Sequence, residues 1–390
     1  MKNKNSRFPA LSLAAVAMLA TLNASAQLTL GITQLGNGSV LSWPTTVSNC
    51  VLQSTTNLAP ATWLTVSNVV VRVNNSFTVT VTNTARARFF RLYNTNTPTV
   101  PAGMALIPAG SFTMGNCMDP NEGGADSSYE LPLHTNYVSA FYMDQYDVTY
   151  ALWQQVHNWA TNHGYSFDHD GSGKATNHPV QMIDWYDSVK WCNARSEMEG
   201  RTPAYYMSAA QTVVYRSGTN DLQNDWVKWN AGYRLPTEAE WEKAARGGAS
   251  GQRFPWGNTI SWSQANYQSF WYNGAPYFFY DLATASGYDP TFNDGVDPFT
   301  SPVDYFAPNG YGLYDMAGNV WQWCWDWFGS YSSASQTDPR GPTSGSIRVY
   351  RGGSYFNLAI NSRSAGRVTF RDPTYSGDGM GFRSVLSPGQ

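Results

Sequence analysis

The sequence predicts an α+β protein, in which a small N-terminal all-β, sandwich-like module is followed by a larger, loop-rich domain. Two observations predict this division. Residues 28–93 are rich in Thr, Val, Asn and Ser and contain short alternating stretches such as SFTVTVTNT, which are typical of strands joined by turns. From residue 104 onward, Gly, Trp and turn-forming residues dominate and helix signals are few. We therefore assign residues 27–94 to the all-β module, 95–102 to a polar linker and 103–390 to the second domain.

The first 26 residues have the pattern of a cleavable signal peptide. Basic residues among the first seven positions precede an apolar stretch at 11–22, and Ala-Ser-Ala at 24–26 provides small residues for cleavage. The apolar stretch is too short to span a bilayer, and no later stretch is apolar for long enough. The sequence therefore predicts cleavage near Ala26, a secreted or periplasmic product, and no integral membrane segment.

The composition excludes some partners. A net charge of -3 with 13% charged residues gives no basic field that would attract nucleic acid. Aromatic residues make up 15% of the chain, with 16 Trp. Such side chains either form a binding surface or stabilise a loop-rich core, and the composition leaves both interpretations open. In the small module we expect Trp43 and Trp63 to be core residues, because a domain of that size needs large side chains to bury enough area.

Three helices can be placed by their caps. Thr237 with Glu240 forms a capping box before an apolar face and a Gly-Gly stop, which predicts a helix there. Two further helices are predicted to begin at Thr149 and Asp184, each with apolar residues at i, i+4 and i+7. From Phe254 onward, runs such as APNGYGLYDMAGNVWQWCWDW are expected to form turns and loops rather than regular helices or long strands.

Four cysteines remain after the predicted cleavage: Cys50, Cys117, Cys192 and Cys324. An oxidising compartment permits two disulfides, and the sequence does not choose among three pairings. Because Cys50 falls in a different predicted domain from the others, at least one thiol is expected to be free and buried.

Two other groups of residues are considered as metal ligands and rejected. His157, His163 and His169 are six residues apart, which does not place them on one helix face, so we interpret them as surface histidines. The stretch FDHDGSG at 167–173 lacks the third acid and the distal glutamate of an EF-hand and is interpreted as a surface turn.

Eight phrases in the second domain carry a family resemblance. They are MALIPAGSFTMG (104–115), HPVQMIDWYDSVKWCN (178–193), YRLPTEAEWEKAARGG (233–248), FPWGN (254–258), NGYGLYDMAGNVWQW (309–323), RVYRGGSY (348–355), RSAGR (363–367) and GFR (381–383). In this order they resemble the formylglycine-generating enzyme, or sulfatase-modifying factor, family. The resemblance implies an elaborated C-type-lectin-like fold with little regular structure and with bound calcium.

The resemblance also implies an oxidase whose copper ion is held by two cysteines between the GGSY and RSA phrases. Soft thiolates select Cu(I). Here that interval reads FNLAIN, with Asn357 at the position of the first cysteine, and no cysteine follows Cys324. Copper is therefore not expected. Relatives often pair the cysteine that matches Cys192 with one just after GFR, and here that position is Ser384.

The same segment supplies the candidate groove. Groove residues implied by the resemblance are Trp321, Ser354, Tyr355, Asn357 and Arg367. None of them is an obvious nucleophile or soft metal ligand, so the catalytic residues are left unknown. Arg363 and Arg367 are expected to tie the loop to carboxylates or carbonyl groups.

Two calcium sites are implied by the resemblance, and their oxygen ligands suit calcium. The first set comprises Asn266, the carbonyl of Tyr267, Asp294 and the carbonyl of Val296. The second set comprises Asp315, the carbonyls of Met316, Gly318 and Val320, and Gln322. Gln322 replaces a glutamate usual in the family, which removes a charge, while Asp315 replaces an asparagine and adds one.

Three functions follow as hypotheses. The first is a calcium-stabilised scaffold that binds an exported protein, a peptide or a glycan. The second is an oxidoreductase that acts on an exported protein or peptide through a different centre, with nonheme iron possible. The third, a working formylglycine-generating oxidase, is disfavoured because the two thiolates are absent.

Overall fold

The computed structural model describes residues 30–45, 49–56, 63–82, 88–94, 100–116 and 128–388. The chain divides into two compact units, Met1–Thr99 and Val100–Gln390. The division falls within the linker expected at 95–102. The predicted signal peptide and Cys117 lie outside the described residues.

The first unit consists of two antiparallel sheets, as the sequence predicts. Their strands are β1 (Gly31–Leu35), β2 (Gly38–Pro44), β3 (Cys50–Thr55), β4 (Leu64–Thr65), β5 (Val71–Val73), β6 (Ser76–Thr82) and β7 (Phe89–Asn94). The strand orders are β1-β2-β6-β5 and β4-β3-β7. Alternate residues of β2 are buried, as expected for a strand with one face on the core.

The core of this unit contains Trp43 but not Trp63. Trp43 is buried with Leu41, Leu52 and neighbouring valines. Trp63 is only half-buried, and the Arg91 guanidinium lies 4.4 Å from its ring centroid. The core prediction is therefore confirmed for Trp43, while Trp63 forms a cation–π contact at the sheet surface.

The second unit contains small sheets joined by long loops. Its strands are β8 (Met104–Ile107), β9 (Gly110–Met114), β10 (His134–Val138), β11 (Phe141–Asp144), β12 (Trp271–Tyr272), β13 (Ala275–Pro276), β14 (Trp321–Trp327), β15 (Gln336–Thr337), β16 (Arg348–Arg351), β17 (Met380–Gly381) and β18 (Val385–Leu386). They form the sheets β15-β10-β9, β18-β11-β8 and β16-β14-β17 and the hairpin β12-β13. The α+β, loop-rich prediction is confirmed.

The three predicted helices are present with their predicted caps. Helix α1 (Tyr150–Thr161) begins after Thr149, whose hydroxyl accepts from the third residue on. Helix α2 (Trp185–Met198) is capped in the same way by Asp184. Helix α3 (Glu238–Ala245) has the capping box formed by Thr237 and Glu240. Every residue of α3 is buried, including its charged ones, so its polar side chains need internal partners.

Strand β14 corrects one sequence expectation. The stretch WQWCWDW was expected to form a loop, yet it is a seven-residue strand and all its residues are buried. It pairs with β16 on one side and with β17 on the other. Trp occupies every second position of this stretch, with Gln, Cys and Asp between, so the two-residue period of a strand is in fact present in the sequence.

Buried arginines connect the loops of the second unit. Arg351 donates to Glu238 at 3.1 Å and to Glu242 at 2.6 Å, and also to the carbonyls of Ser364 and Ala365. Arg351 is fully buried. Its side chain thereby joins helix α3 to the RSAGR segment, which has no sheet or helix of its own to hold it.

The two arginines of the RSAGR segment bind acids, as predicted. Arg363 forms two hydrogen bonds with Glu130, at 2.8 and 2.6 Å. Arg367 forms two with Glu238, at 2.6 and 2.9 Å, and also donates to the carbonyl of Tyr129. Paired geometry of this kind fixes orientation as well as distance.

The described cysteines are free thiols. Cys192 and Cys324 are buried, and Cys50 is half-buried. Ser384, at the position where relatives often have a pairing cysteine, instead donates from its hydroxyl to Asp144 at 2.6 Å and accepts from Arg195 at 3.0 Å. A polar network therefore stands at this position in place of a disulfide.

We predict that Glu242→Gln destabilises the second unit. Glu242 accepts from Arg246 and Arg351 and from the backbone N–H of Gly115, so the variant removes the counter-charge of Arg246 and one of the two carboxylates that pair with Arg351. Breaking one partner of a buried ion pair costs about 3–5 kcal/mol. Urea unfolding followed by Trp fluorescence measures the change. Glu199→Gln is the control, because its carboxylate is one-third exposed and such pairs contribute about 0–1 kcal/mol.

The pH dependence of this difference has a defined sign. Burial alone would raise the pKa of Glu242, but the charges of Arg246 and Arg351 lower it below its ordinary value of 4.5. The ionised carboxylate therefore stabilises the fold above pH 4.5, and this stabilisation is lost as the pH falls through the lower pKa of the folded state. A stability difference between wild type and Glu242→Gln that grows on acidification would contradict this account.

Candidate functional site

A surface cavity of about 560 Å³ lies beside the loop that joins β16 to β17, and we call it the groove. Of its 13 lining residues, nine are aromatic or aliphatic. The apolar members are Trp321, Tyr350, Phe356, Leu358, Ile360, Val368, Phe370, Tyr375 and Met380. The polar members are Asn357, Asn361, Arg371 and Asp378. A mostly apolar pocket with a few polar groups is the usual form of a ligand site.

The side chain of Asn357 is fixed in the groove wall. Its Oδ1 accepts a hydrogen bond from Trp321 Nε1 at 2.7 Å and a second from the hydroxyl of Ser354. Ser354 is fully buried, and the ring of Trp321 packs edge-on against Tyr350. An amide oxygen has two lone pairs, and both are used here. The position implied for a copper thiolate thus holds an oxygen that is committed to two protein donors.

Three of the five predicted groove residues are brought together, and two are not. Trp321, Ser354 and Asn357 form the hydrogen-bonded wall just described. The hydroxyl of Tyr355 donates to Asp297 at 3.1 Å, and its ring is buried outside the groove lining. Arg367 binds Glu238 and lines a different cavity.

Sequence reasoning missed the aromatic floor of the groove. Tyr350, Phe356, Phe370 and Tyr375 come from β16 and from the irregular chain that follows it. Their spacing in the sequence has no helical or strand period, because loops bring them to one surface. Only the general excess of aromatic residues pointed to such a surface.

The first predicted calcium set already contains a cation of the protein. Lys174 Nζ lies 2.7 Å from Asp294 Oδ1 and 3.1 Å from the carbonyl oxygen of Val296. Asn266 uses its amide N–H to bind the carbonyl of Phe299, and its Oδ1 is buried without a partner. The carbonyl of Tyr267 accepts from Trp262 Nε1 at 3.1 Å. The ammonium group therefore takes the place of a metal between Asp294 and Val296, and this pair does not fit calcium.

The second predicted set fits calcium better, with one exception. Asp315, Gly318 and Asn319 have positive φ angles, so the loop that contains Met316 turns sharply. Asp315 Oδ2 is buried without a partner. Burial and the neighbouring carboxylate of Asp147 raise the pKa of Asp315 well above its usual range. A divalent cation would compensate these two acids, which share one arginine, Arg383.

The exception in the second set is Gln322. Its Oε1 accepts from Trp241 Nε1 at 2.6 Å and from Arg383 Nε at 2.8 Å. Its amide nitrogen donates to the carbonyl of Asp315 at 2.8 Å. These bonds give Gln322 a structural role in holding the loop. Asp315 and the carbonyls of Met316, Gly318 and Val320 then stay as the candidate ligands.

Among the described residues, one further group of possible metal ligands lies at the beginning of α2 and in the turn at 167–173. His169, Asp184 and Asp187 offer ligand atoms within 4.8 Å of one another. Asp187, however, accepts from the backbone N–H groups of Asp168 and His169, from His169 Nδ1, and from Lys190 at 2.9 Å. These four donors occupy both carboxylate oxygens of Asp187. The cluster therefore anchors the 167–173 turn to the helix.

The fold and the groove together define a loop-built α+β domain that presents a surface pocket without a cysteine among its lining residues. The chain belongs to the sulfatase-modifying factor enzyme 1-like domain family, which matches residues 90–388. Within the described residues, no helix is long and apolar enough to cross a membrane.

The relatives include proteins that are named an enzyme, a chaperone and an inactive enzyme. The formylglycine-generating enzyme of Mus musculus is 36% identical over 297 residues, which cover 72% of this chain and 74% of the relative. The "Chaperone protein LppX" of Paenibacillus barcinonensis is 30% identical, with 73% and 94% covered. The "Inactive C-alpha-formylglycine-generating enzyme 2" of Bos taurus is 30% identical, with 80% and 96% covered.

Solved structures have the same fold. Treponema denticola variable protein 1 aligns with a TM-score of 0.53 and 26% identity, covering 83% of this chain and all of the other. PvdO from Pseudomonas aeruginosa aligns with a TM-score of 0.51 and 25% identity, covering 73% and 94%. The fold is thus shared by proteins with different names.

We predict that calcium stabilises the protein through Asp315. A ligand that binds only the folded state raises the free energy of unfolding, by about 2.7 kcal/mol at a concentration 100 times its Kd. Differential scanning calorimetry should show a higher Tm with calcium than with EGTA. Asp315→Ala should abolish this difference, whereas Asp294→Ala should keep it, because Lys174 already neutralises Asp294.

Metal analysis of the purified protein gives the second readout. Calcium without stoichiometric copper or iron is the expected content. Equal calcium effects in wild type and Asp315→Ala would contradict the assignment, and stoichiometric iron would favour the oxidoreductase hypothesis.

Proposed function

We propose that this protein is an exported, non-catalytic binding member of the family, which holds a peptide segment of another exported protein in the groove. Calcium bound near Asp315 stabilises the loop that precedes β14 in this proposal. The observation that carries the proposal is the side chain of Asn357, whose oxygen accepts from Trp321 and Ser354 where copper chemistry would need a thiolate.

The chemistry of the groove favours a peptide with a large apolar side chain. Its floor is aromatic, and Phe370 on its rim is 67% exposed. Exposed large apolar side chains that adjoin a pocket often mark a binding surface. Asn361, Arg371 and Asp378 lie among the lining residues and can bind backbone N–H and C=O groups of an extended segment.

Two relatives support a binding role. One is named a chaperone protein and another is named inactive, and both cover most of this chain. A chaperone contacts other polypeptides through exposed apolar surface, which is what the groove provides.

A glycan is the alternative ligand within the same proposal, because aromatic faces also pack against sugar rings. The alternative from a different class is an oxidoreductase that acts on an exported protein or peptide with a nonheme iron or unidentified centre. It would use the same groove, and its distinguishing requirement is a redox-active ion. A working formylglycine-generating oxidase is the third possibility and requires thiolates that the groove lining does not contain.

We predict that the protein binds peptides through Phe370. An array of random 12-residue peptides identifies binders, and isothermal titration calorimetry then gives their Kd for wild type and Phe370→Ser. Burial of a Phe side chain contributes about 1.5–3 kcal/mol, so the variant should bind roughly 10-fold to 100-fold more weakly. Phe279→Ser is the matched control, because Phe279 is 74% exposed and does not line the groove.

Three outcomes would count against the proposal. The array could give no peptide that binds in solution, or Phe370→Ser could bind as tightly as the control variant. Oxygen consumption with a cysteine-containing sulfatase peptide and added copper, at a rate above buffer, would show that the chain is a catalyst instead.

A further inference from the structure

One face of the β12-β13 hairpin is aromatic and exposed to solvent, and we call it the hairpin patch. Its members are 43% to 74% exposed, and they are Phe270, Tyr272, Tyr277 and Phe279. The neighbouring positions Trp271, Pro276 and Phe278 are half-buried. Exposure therefore alternates as in a strand with one covered face, but the solvent side carries rings where polar residues are usual. Exposed apolar patches of this kind mark interaction surfaces.

The pairing of the hairpin brings the rings together. Trp271 pairs with Pro276, which places Phe270 opposite Tyr277, and the N–H of Tyr277 donates to the C=O of Phe270 at 2.8 Å. The ring centroids of Phe270 and Tyr277 are 5.7 Å apart. Because directly opposite residues contact each other on one face of a strand pair, the patch is continuous across the hairpin.

The hairpin is held in place by its own bonds. Its turn is Asn273-Gly274, and both residues have positive φ angles, of 51° and 79°, as the favoured two-residue hairpin turn requires. At its base, Ser269 and Gly287 exchange two backbone hydrogen bonds, at 2.8 and 2.9 Å. The exposed rings are therefore ordered before a partner binds, which lowers the entropic cost of binding.

The chain around the hairpin patch carries no exposed charge. Residues 254–280 contain no Asp, Glu, Lys, Arg or His. The charged residues that flank this run, Arg253 and Asp281, are only 7% and 1% exposed. Arg253 lies 5.2 Å from the ring centroid of Phe279 and donates to the carbonyl of Asn258 at 2.7 Å. Such a surface suits a neutral or zwitterionic partner.

The chemistry of the rings favours a lipid surface over a sugar or a small ligand. Phe270 and Phe279 have no polar atom that could bind hydroxyl groups, and the rings of Phe270 and Tyr277 are inclined by 54°, so they form no flat platform for a sugar ring. None of the four residues lines the groove or the cavity that contains Arg367. Tyrosine combines an apolar ring with a polar tip, and such residues are enriched where hydrocarbon meets water at a membrane surface.

We propose that the hairpin patch inserts into the surface of a zwitterionic lipid bilayer, such as one of phosphatidylcholine. The rings of Phe270 and Phe279 enter the boundary between headgroups and acyl chains, while the hydroxyls of Tyr272 and Tyr277 stay at the level of the headgroups. The hairpin patch shares no residue with the groove, so this inference does not rest on the function proposed for the groove.

Co-sedimentation with lipid vesicles tests the proposal. The protein is the mature chain from Gln27 onward, because the predicted signal peptide would itself bind lipid. Sucrose-loaded phosphatidylcholine vesicles should bind wild type at least as strongly as vesicles that also contain anionic phosphatidylglycerol, since the patch offers no cation. Phe279→Ser should lower the partition coefficient about 10-fold or more, and the double variant Tyr272→Ser with Phe279→Ser should lower it further.

Phe370→Ser is the matched control, because Phe370 is 67% exposed but lines the groove. This variant should bind vesicles as wild type does, so the groove proposal and the lipid proposal fail separately. All variants change exposed side chains and should keep the Tm of wild type.

Four outcomes would overturn the proposal. Wild type could fail to bind phosphatidylcholine vesicles, binding could require the anionic lipid, or Phe279→Ser could bind as strongly as wild type. In the fourth, Phe279→Ser abolishes dimerisation in sedimentation velocity or adsorption to insoluble cellulose while vesicle binding is unchanged, which would assign the patch to a second copy of the chain or to a glycan.

Discussion

The second unit depends on the buried contact between Arg351 and the two acids of helix α3, Glu238 and Glu242. Placing charges in a protein interior is costly unless they are paired with opposite charges. Here the guanidinium of Arg351 binds both carboxylates and two carbonyls of the RSAGR segment. The described part of the second unit has three helices, small sheets and long irregular segments, and buried arginines connect such segments to the helices.

This network also holds both ends of the loop that forms the groove. Glu238 receives Arg351 from the side of β16 and Arg367 from the RSAGR segment. The chain between these arginines, residues 352–366, carries Asn357 and much of the groove wall. Arg367 itself lines a different cavity. One buried acid, Glu238, thus binds the arginines at both ends of the loop that forms the groove.

Much of this architecture could be predicted from the sequence, and the rest could not for identifiable reasons. Local signals were sufficient for the caps at Thr149, Asp184 and Thr237, because capping depends on neighbouring residues. Strand β14 has Trp at every second position, but the glycine-rich run before it indicated a loop, so its two-residue period was overlooked. The positions of Tyr355 and Arg367 depend on long-range partners, Asp297 and Glu238, which no local pattern reveals. Lys174 beside Asp294 was missed for the same reason.

Amide hydrogen exchange of Arg351→Met tests the central claim most directly. If Arg351 holds the RSAGR segment on helix α3, exchange in residues 352–370 should become at least about 10-fold faster, since loss of local contacts allows local opening. Exchange in α1 and α2 should stay slow, because their core of tryptophans and tyrosines does not involve Arg351. Unchanged exchange in 352–370, or an equal increase throughout the second unit, would contradict the account.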